Sequence, residues 1–285
     1  METVNPGPWV NPEIIESEPW KTQDGIIKFV EFPVRNSEMS RRAFQLYWQK
    51  HHSPHVMNLT SFAQFIRKYN SAHIYPEVIL GLPEHYQQNT PFEGASELWL
   101  DSLEQMSSGF GQPIYEELIY PDEQRFLAQD GQGEFILAKE ERLYEPDPDV
   151  DENLKTKVYV LVKRLTGKNY ADFHTAISKH GQLIVEQHSL RAHLNKLTIS
   201  HKLIDPCPEG FELADIDAVI ELMFNDVPTA QKFFTQREYV EKILPSEKEN
   251  FDISNTRVIV AKIRVVHDEF SFQPSVTQPM PFNWE

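Results

Sequence analysis

The chain has 285 residues, enough for one large domain or two smaller ones. Its formal net charge of −16 argues against nucleic acid or an anionic membrane surface as partner, since both would repel it. Hydrophobic residues at 40% and charged residues at 25% fit a globular protein, and no apolar run reaches the length of a membrane span.

The single cysteine, Cys207, lies between Pro206 and Pro208. It has no partner for an internal disulfide, which fits a reducing compartment. The first twenty residues are acidic and proline-rich and lack the basic start and apolar run of a signal peptide, so the expected location is the cytosol. Residues 1–24 read as an extended arm for which Trp9 and Trp20 offer anchors.

Ile26 to Val34 is rich in β-branched and aromatic residues and reads as a strand. Ser40 to His52 reads as an amphipathic helix. Ser40 can cap it, Phe44, Tyr47 and Trp48 share one face, and Pro54 disfavours its continuation. Ser61 to Tyr75 reads as extended, with Phe65, Tyr69 and His73 on one face. Ala95 to Leu100 is a strand, with Glu97 and Trp99 on one side. Helical stretches follow from Asp101 or Ser102 to Met106 and from Glu116 to Leu127, then a strand from Phe135 to Leu143. Strand, helix, strand, strand, helix, strand is the ferredoxin-like order.

An acidic, proline-containing linker spans 146–155. The pattern then repeats: strand 158–162, helix 170–185, extended 192–204, strand 219–224, helix 228–248 and strand 257–266. Arg35 and Arg164, Phe44 and Phe173, and His51 and His180 are each 129 positions apart, and Glu97-Leu98 precedes Glu221-Leu222 by 124. Aligned residues in the same order indicate a duplicated module. The expected organisation is a first half at 25–145, the linker, a degenerate second half at 156–268 and a tail at 269–285 pinned by Phe282 and Trp284. Each half has one bare sheet face, so the expected fold is α+β, with two ferredoxin-like (βαββαβ) halves packed sheet to sheet as a barrel within one chain.

Phe44, Tyr47-Trp48, His51, Pro54 and Val56, with His52 also able to take the histidine position, resemble the signature of EthD-type proteins. Tyr69 with His73, Phe92-Glu93-Gly94 with Glu97-Leu98-Trp99, and Asp122-Glu123 with Phe126 resemble further motifs of that family. The second half keeps Phe173 and His180 but has Ile177-Ser178 and Met223 where aromatic residues are expected. The resemblance implies the dimeric α/β-barrel architecture, here within one chain, with an apolar pocket between sheet and helices. It also implies relatives that range from cyclases, dehydratases, decarboxylases and isomerases to cofactor-free monooxygenases and haem enzymes, among which fold does not choose.

His51, His52 and His55 invite a metal reading, but Pro54 breaks the shared helical face and no partner stands at a metal-site spacing. The expected metal and cofactor content is none, and no nucleotide-binding motif occurs. The candidate catalytic residues are His51 or His52 as general acid/base, with Tyr69, His73 and Glu97 as partners. Glu97 beside Trp99 in an apolar pocket would have a raised pKa; the alternative pairs it with Arg67 or Arg35. Phe44, Trp48, Phe65 and Trp99 are the candidate substrate-binding residues. The expected function is a cofactor-independent enzyme, of lyase or isomerase type, transferring protons on an aromatic or polyketide-like small molecule. The alternatives are a non-catalytic binding protein and a cofactor-free monooxygenase. The only expected partners are the substrate and, for a homodimer rather than a monomer, a second copy.

Overall fold

The computed structural model describes residues 25–75, 81–129, 133–203 and 213–270. The expected N-terminal arm, nearly all of the expected tail, and Cys207 lie outside the described residues.

In the first half the elements are β1 (Ile27–Phe32), α1 (Arg41–Tyr47), a π-helical turn (Trp48–His52), α2 (Ser53–Asn58), α3 (Thr60–Ala63), β2 (Lys68–Ile74), β3 (Gly94–Leu100), α4 (Leu103–Phe110), a second π turn (Tyr115–Ile119), α5 (Tyr120–Phe126) and β4 (Glu134–Tyr144). In the second they are β5 (Thr156–Val162), α6 (Tyr170–Glu186), α7 (His188–Arg191), β6 (Lys196–Lys202), β7 (Ala218–Phe224), α8 (Val227–Phe234), a third π turn (Tyr239–Ile243), α9 (Leu244–Asn250) and β8 (Arg257–Asp268). Two stretches expected to be extended from their start begin instead in helical turns, where the Leu59 carbonyl accepts from the Phe62 and Ala63 amides and the His188 and Leu190 carbonyls accept from the Ala192 and His193 amides.

The strands form a closed barrel in the order β1-β3-β2-β8-β5-β7-β6-β4. Each half contributes a ferredoxin-like sheet, and the two sheets join edge to edge through the antiparallel pairs β2–β8 and β4–β6. Closure leaves no unpaired sheet edge. Both faces of the sheet are covered, one by the other half across the barrel and one by helices. That is why β5 (TKVYVLV) and β7 (AVIELMF) read as almost unbroken apolar runs. Gly94 opens β3 at φ +151°, and a Cβ there would lie 1.8 Å from the Ala72 carbonyl oxygen, so only glycine lets β3 approach β2.

The barrel interior divides in two. One part is apolar and drawn from both halves, including Val30, Phe32, Ile136, Leu161, Val219 and Ile259. The other is ionic. Lys28 Nζ lies 2.7 Å from Glu97 and 2.6 Å from Glu221, and Lys157 Nζ lies 2.7 Å and 2.5 Å from the same two carboxylates. Lys28 and Lys157 are duplicate positions, as are Glu97 and Glu221, so each half gives one cation and one anion to a four-membered ring of charge. No helix of the described residues is long and apolar enough to cross a membrane.

Candidate functional site

The first half's helices lie over the outer face of its sheet. Ser40 caps α1 by accepting from the Ala43 amide, and Phe44 and Trp48 bury the helix against Phe126 of α5. The π turn after α1 decides which imidazole turns inward. A π turn carries one residue more than an α turn, so the side chains beyond it rotate around the axis. His51 is exposed and lies over the Tyr47 ring, with centroids 5.2 Å apart. His52 is buried, its Nδ1 2.9 Å from Asp122 Oδ2, while the Tyr47 hydroxyl donates to Asp122 Oδ1 at 2.5 Å. Burial pushes the Asp122 pKa up, but the bonds from His52 and Tyr47 outweigh it and hold the carboxyl below its usual range.

Beneath this turn, Tyr69 and His73 come together with Trp48. The Trp48 indole donates to the Tyr69 oxygen at 3.0 Å, Ser53 Oγ lies 3.1 Å from it, and the His73 ring packs 4.7 Å from the Trp48 ring. His73 Nδ1 is buried without a hydrogen-bond partner. Burial, reinforced by Arg264, lowers the His73 pKa to about 4, so its ring is neutral near pH 7.

Glu97 and Trp99 do not join them. In the register of β2 and β3, Tyr69 stands opposite Leu98 and Asn70 opposite Glu97, so Glu97 and Tyr69 occupy opposite faces of the sheet. Glu97 faces the barrel interior. Its partners are Lys28, Lys157 and the Tyr159 hydroxyl at 2.9 Å, rather than Arg67 or Arg35. Burial raises its pKa, but Lys157 and Lys28 overcome this and hold it well below the ordinary carboxylate range, opposite to the expected shift. Trp99 lies under the ammonium groups of Lys28 and Lys68, at 4.6 Å and 5.4 Å from the ring centroid. Phe65 precedes β2 rather than sharing its face, and packs against Gly109 of α4.

A cavity of about 880 Å³ opens elsewhere, between the outer face of β1 and β4 and helix α5, with Lys163, Asp215, Asn255 and Arg257 of the second half completing its wall. Glu31, Glu123, Phe135, Leu127 and Leu213 are among the side chains that line it. The Tyr115 hydroxyl donates to Glu123 Oε2 at 3.0 Å. Burial, with nearby Glu31 second, raises the Glu123 pKa to about 8, and burial raises Glu31 to about 7. Two carboxyls that hold protons near neutrality thus line one hollow of mixed walls, with Leu127 and Phe135 beside Lys163 and Arg257. The sequence presents Asp122-Glu123 only as a motif and carries no local sign of Glu31. The usable signal was the repeat: Tyr115 and Glu123 recur as Tyr239 and Glu247, each 124 positions on. Among the described residues no group of three or more His, Cys, Asp or Glu side chains could hold a metal ion.

Residues 36–130 match the EthD domain. That match falls within the first half of the chain. No curated protein matches the chain by sequence. Among solved structures, an anthrone oxidase-like protein aligns over 89% of this chain and 98% of its own, at 8% identity and a TM-score of 0.54. A candidate monooxygenase from Fusobacterium nucleatum subsp. nucleatum ATCC 25586 aligns over 86% and 94%, at 8% identity and a TM-score of 0.50. At this identity the likeness is one of fold: the half that matches EthD and its duplicate build the dimeric α/β barrel inside one polypeptide.

Proposed function

We propose that the EthD half is the catalytic half of a small-molecule enzyme that moves protons without a cofactor, on an aromatic or polyketide-like substrate. The observation that carries this is the pair Glu31 and Glu123, both raised toward neutrality, on the wall of one cavity. A carboxyl pair titrating around pH 7 to 8 holds one proton over that range, so it offers a base and an acid together. The base would take a proton from a carbon next to a carbonyl, and the acid would protonate the developing oxyanion. Dehydration, decarboxylation, cyclisation and isomerisation of such substrates share that step. Tyr115 fixes the Glu123 carboxyl by its hydrogen bond. His52 enters as a positioning residue, because it anchors Asp122, the residue before Glu123 on α5. Tyr69 and His73 support the sheet beneath the first π turn.

The fold likeness to an anthrone oxidase-like protein favours a second reading, in which the same carbanion reacts with dioxygen. The test is turnover of a panel of anthrones and phenolic β-ketones, with dioxygen uptake recorded beside product formation. Glu123→Gln and Glu31→Gln are expected to lower kcat about 10²- to 10⁴-fold without loss of fold. Dioxygen uptake matching product favours oxygenation; none favours the lyase or isomerase reading. Full activity in both variants removes the proposal. Ligand affinity without turnover on any member of the panel leaves the non-catalytic binding protein.

A further inference from the structure

The second half holds a duplicate of the Tyr115–Glu123 pair, and that duplicate is filled. The Tyr239 hydroxyl donates to Glu247 Oε1 at 2.6 Å. A second phenol, Tyr86 from the first half, donates to the same oxygen at 2.8 Å, and the two phenol oxygens lie 3.1 Å apart. Tyr86 is carried on the connection between β2 and β3. Backbone bonds hold it there, with the Gln87 amide donating to the Thr256 carbonyl and the Val258 amide to the Gln87 carbonyl. Its ring is buried in the second half's core, edge-on to Phe234 at 6.2 Å. His85 Nε2 sits 3.0 Å from the other Glu247 oxygen, without hydrogen-bond geometry.

The surrounding elements are duplicated too. Both tyrosines lie at the start of a π turn, both glutamates lie one turn into the following helix, and His52 on Asp122 is matched by His180 on Ser246 at 3.1 Å. In the first copy Glu123 accepts from Tyr115 alone among the described residues and borders the open cavity. Beside the carboxyl the copies therefore differ: a phenol from the other half fills that place at Glu247, whereas Glu123 faces the cavity, with Glu31 where the second half has Val160.

We propose that the cavity beside Glu123 binds a phenol whose hydroxyl donates to the Glu123 carboxyl next to Tyr115, as Tyr86 does to Glu247 in the duplicate. This rests on the reading of the Glu123 cavity as the substrate site, and it names the substrate group that meets the carboxyl. The hydroxyl is what a site built around a polar group selects, because an ether in its place leaves the buried acceptor unpaired.

The test titrates the full chain calorimetrically with p-cresol, which is the tyrosine side chain cut at Cβ, and with 4-methylanisole, its methyl ether. The expected result is one p-cresol per chain, with the ether at least tenfold weaker and Glu123→Leu lowering p-cresol affinity by a similar factor. Tyr86→Ala empties the duplicate, so that variant is expected to take a second p-cresol and to regain melting temperature on adding it. Equal binding of the phenol and the ether by the wild-type chain, or no p-cresol binding up to its solubility limit, overturns the proposal, and neither result depends on a variant that folds. Loss of turnover in Glu123→Gln combined with equal binding of phenol and ether would retain the proton-transfer reading and remove this one. Selective p-cresol binding with full turnover in Glu123→Gln would do the reverse.

Discussion

Glu31 and Glu123 give the molecule a pH signature separate from any activity. Each holds its proton more tightly in the folded chain than in the unfolded one, where a glutamate titrates near 4.5. Stability from this source is complete below pH 4.5 and drains away as pH rises through about 7 for Glu31 and about 8 for Glu123. The double variant Glu31→Gln/Glu123→Gln removes both ionisations. Its melting temperature relative to wild type is expected to be higher at pH 8.5 than at pH 4.5, and a difference that does not change with pH contradicts the assignment. The two histidines separate just as simply. His52→Ala breaks a buried bond to a carboxylate and should cost about 1.5–3 kcal/mol by denaturant titration, whereas His51→Ala on the exposed side should cost under ~0.5 kcal/mol.

The first π turn explains why residue spacing alone misjudged the histidines. Phe44 and Phe173 are 129 positions apart, which pairs His51 with His180. The extra residue held between Trp48 and His52 shifts the pairing by one, and beyond it His52, not His51, matches His180: both are buried, and their partners Asp122 and Ser246 are themselves duplicates. Deleting Lys50 should turn the segment into a regular helix like α6, with His52 brought to seven positions after Phe44, the separation of His180 from Phe173. The expected melting temperature lies within about 5 °C of wild type, while deletion of Gln45, upstream of the turn, should unfold the half. The strand order, the repeat and the ferredoxin-like halves were legible because they depend on apolar periodicity and turn residues, which are local. The site was legible only in fragments. Tyr69, His73 and Trp48 do meet, but the face of Glu97 depends on how β3 registers with β2, and the cavity depends on a Glu31 and a Glu123 that lie 92 positions apart.

Across the whole molecule, the ring of Lys28, Glu97, Lys157 and Glu221 ties the two halves at the centre of the barrel. Burial works against both lysine charges, yet Glu221 and Glu97 keep the lysine pKa values above the ordinary range. Lys28→Met leaves carboxylates buried with half their countercharge and should cost about 3–5 kcal/mol. Lys28 also pairs with Glu140 at 3.0 Å, so replacing the four ring charges with Met and Leu together with Glu140→Gln should recover most of that loss, since the halves also share an apolar interior. A combined variant no more stable than Lys28→Met would show that the ring supplies stability rather than specificity of pairing.

Edge pairing of β2 with β8 and of β4 with β6 within a single polypeptide has a last consequence. A barrel assembled from two separate copies would fall apart on dilution and would carry the same residues at both hollows. Here the melting curve should not depend on protein concentration, and the two hollows are encoded separately. One has stayed roomy while the other has been stoppered by a side chain from across the seam.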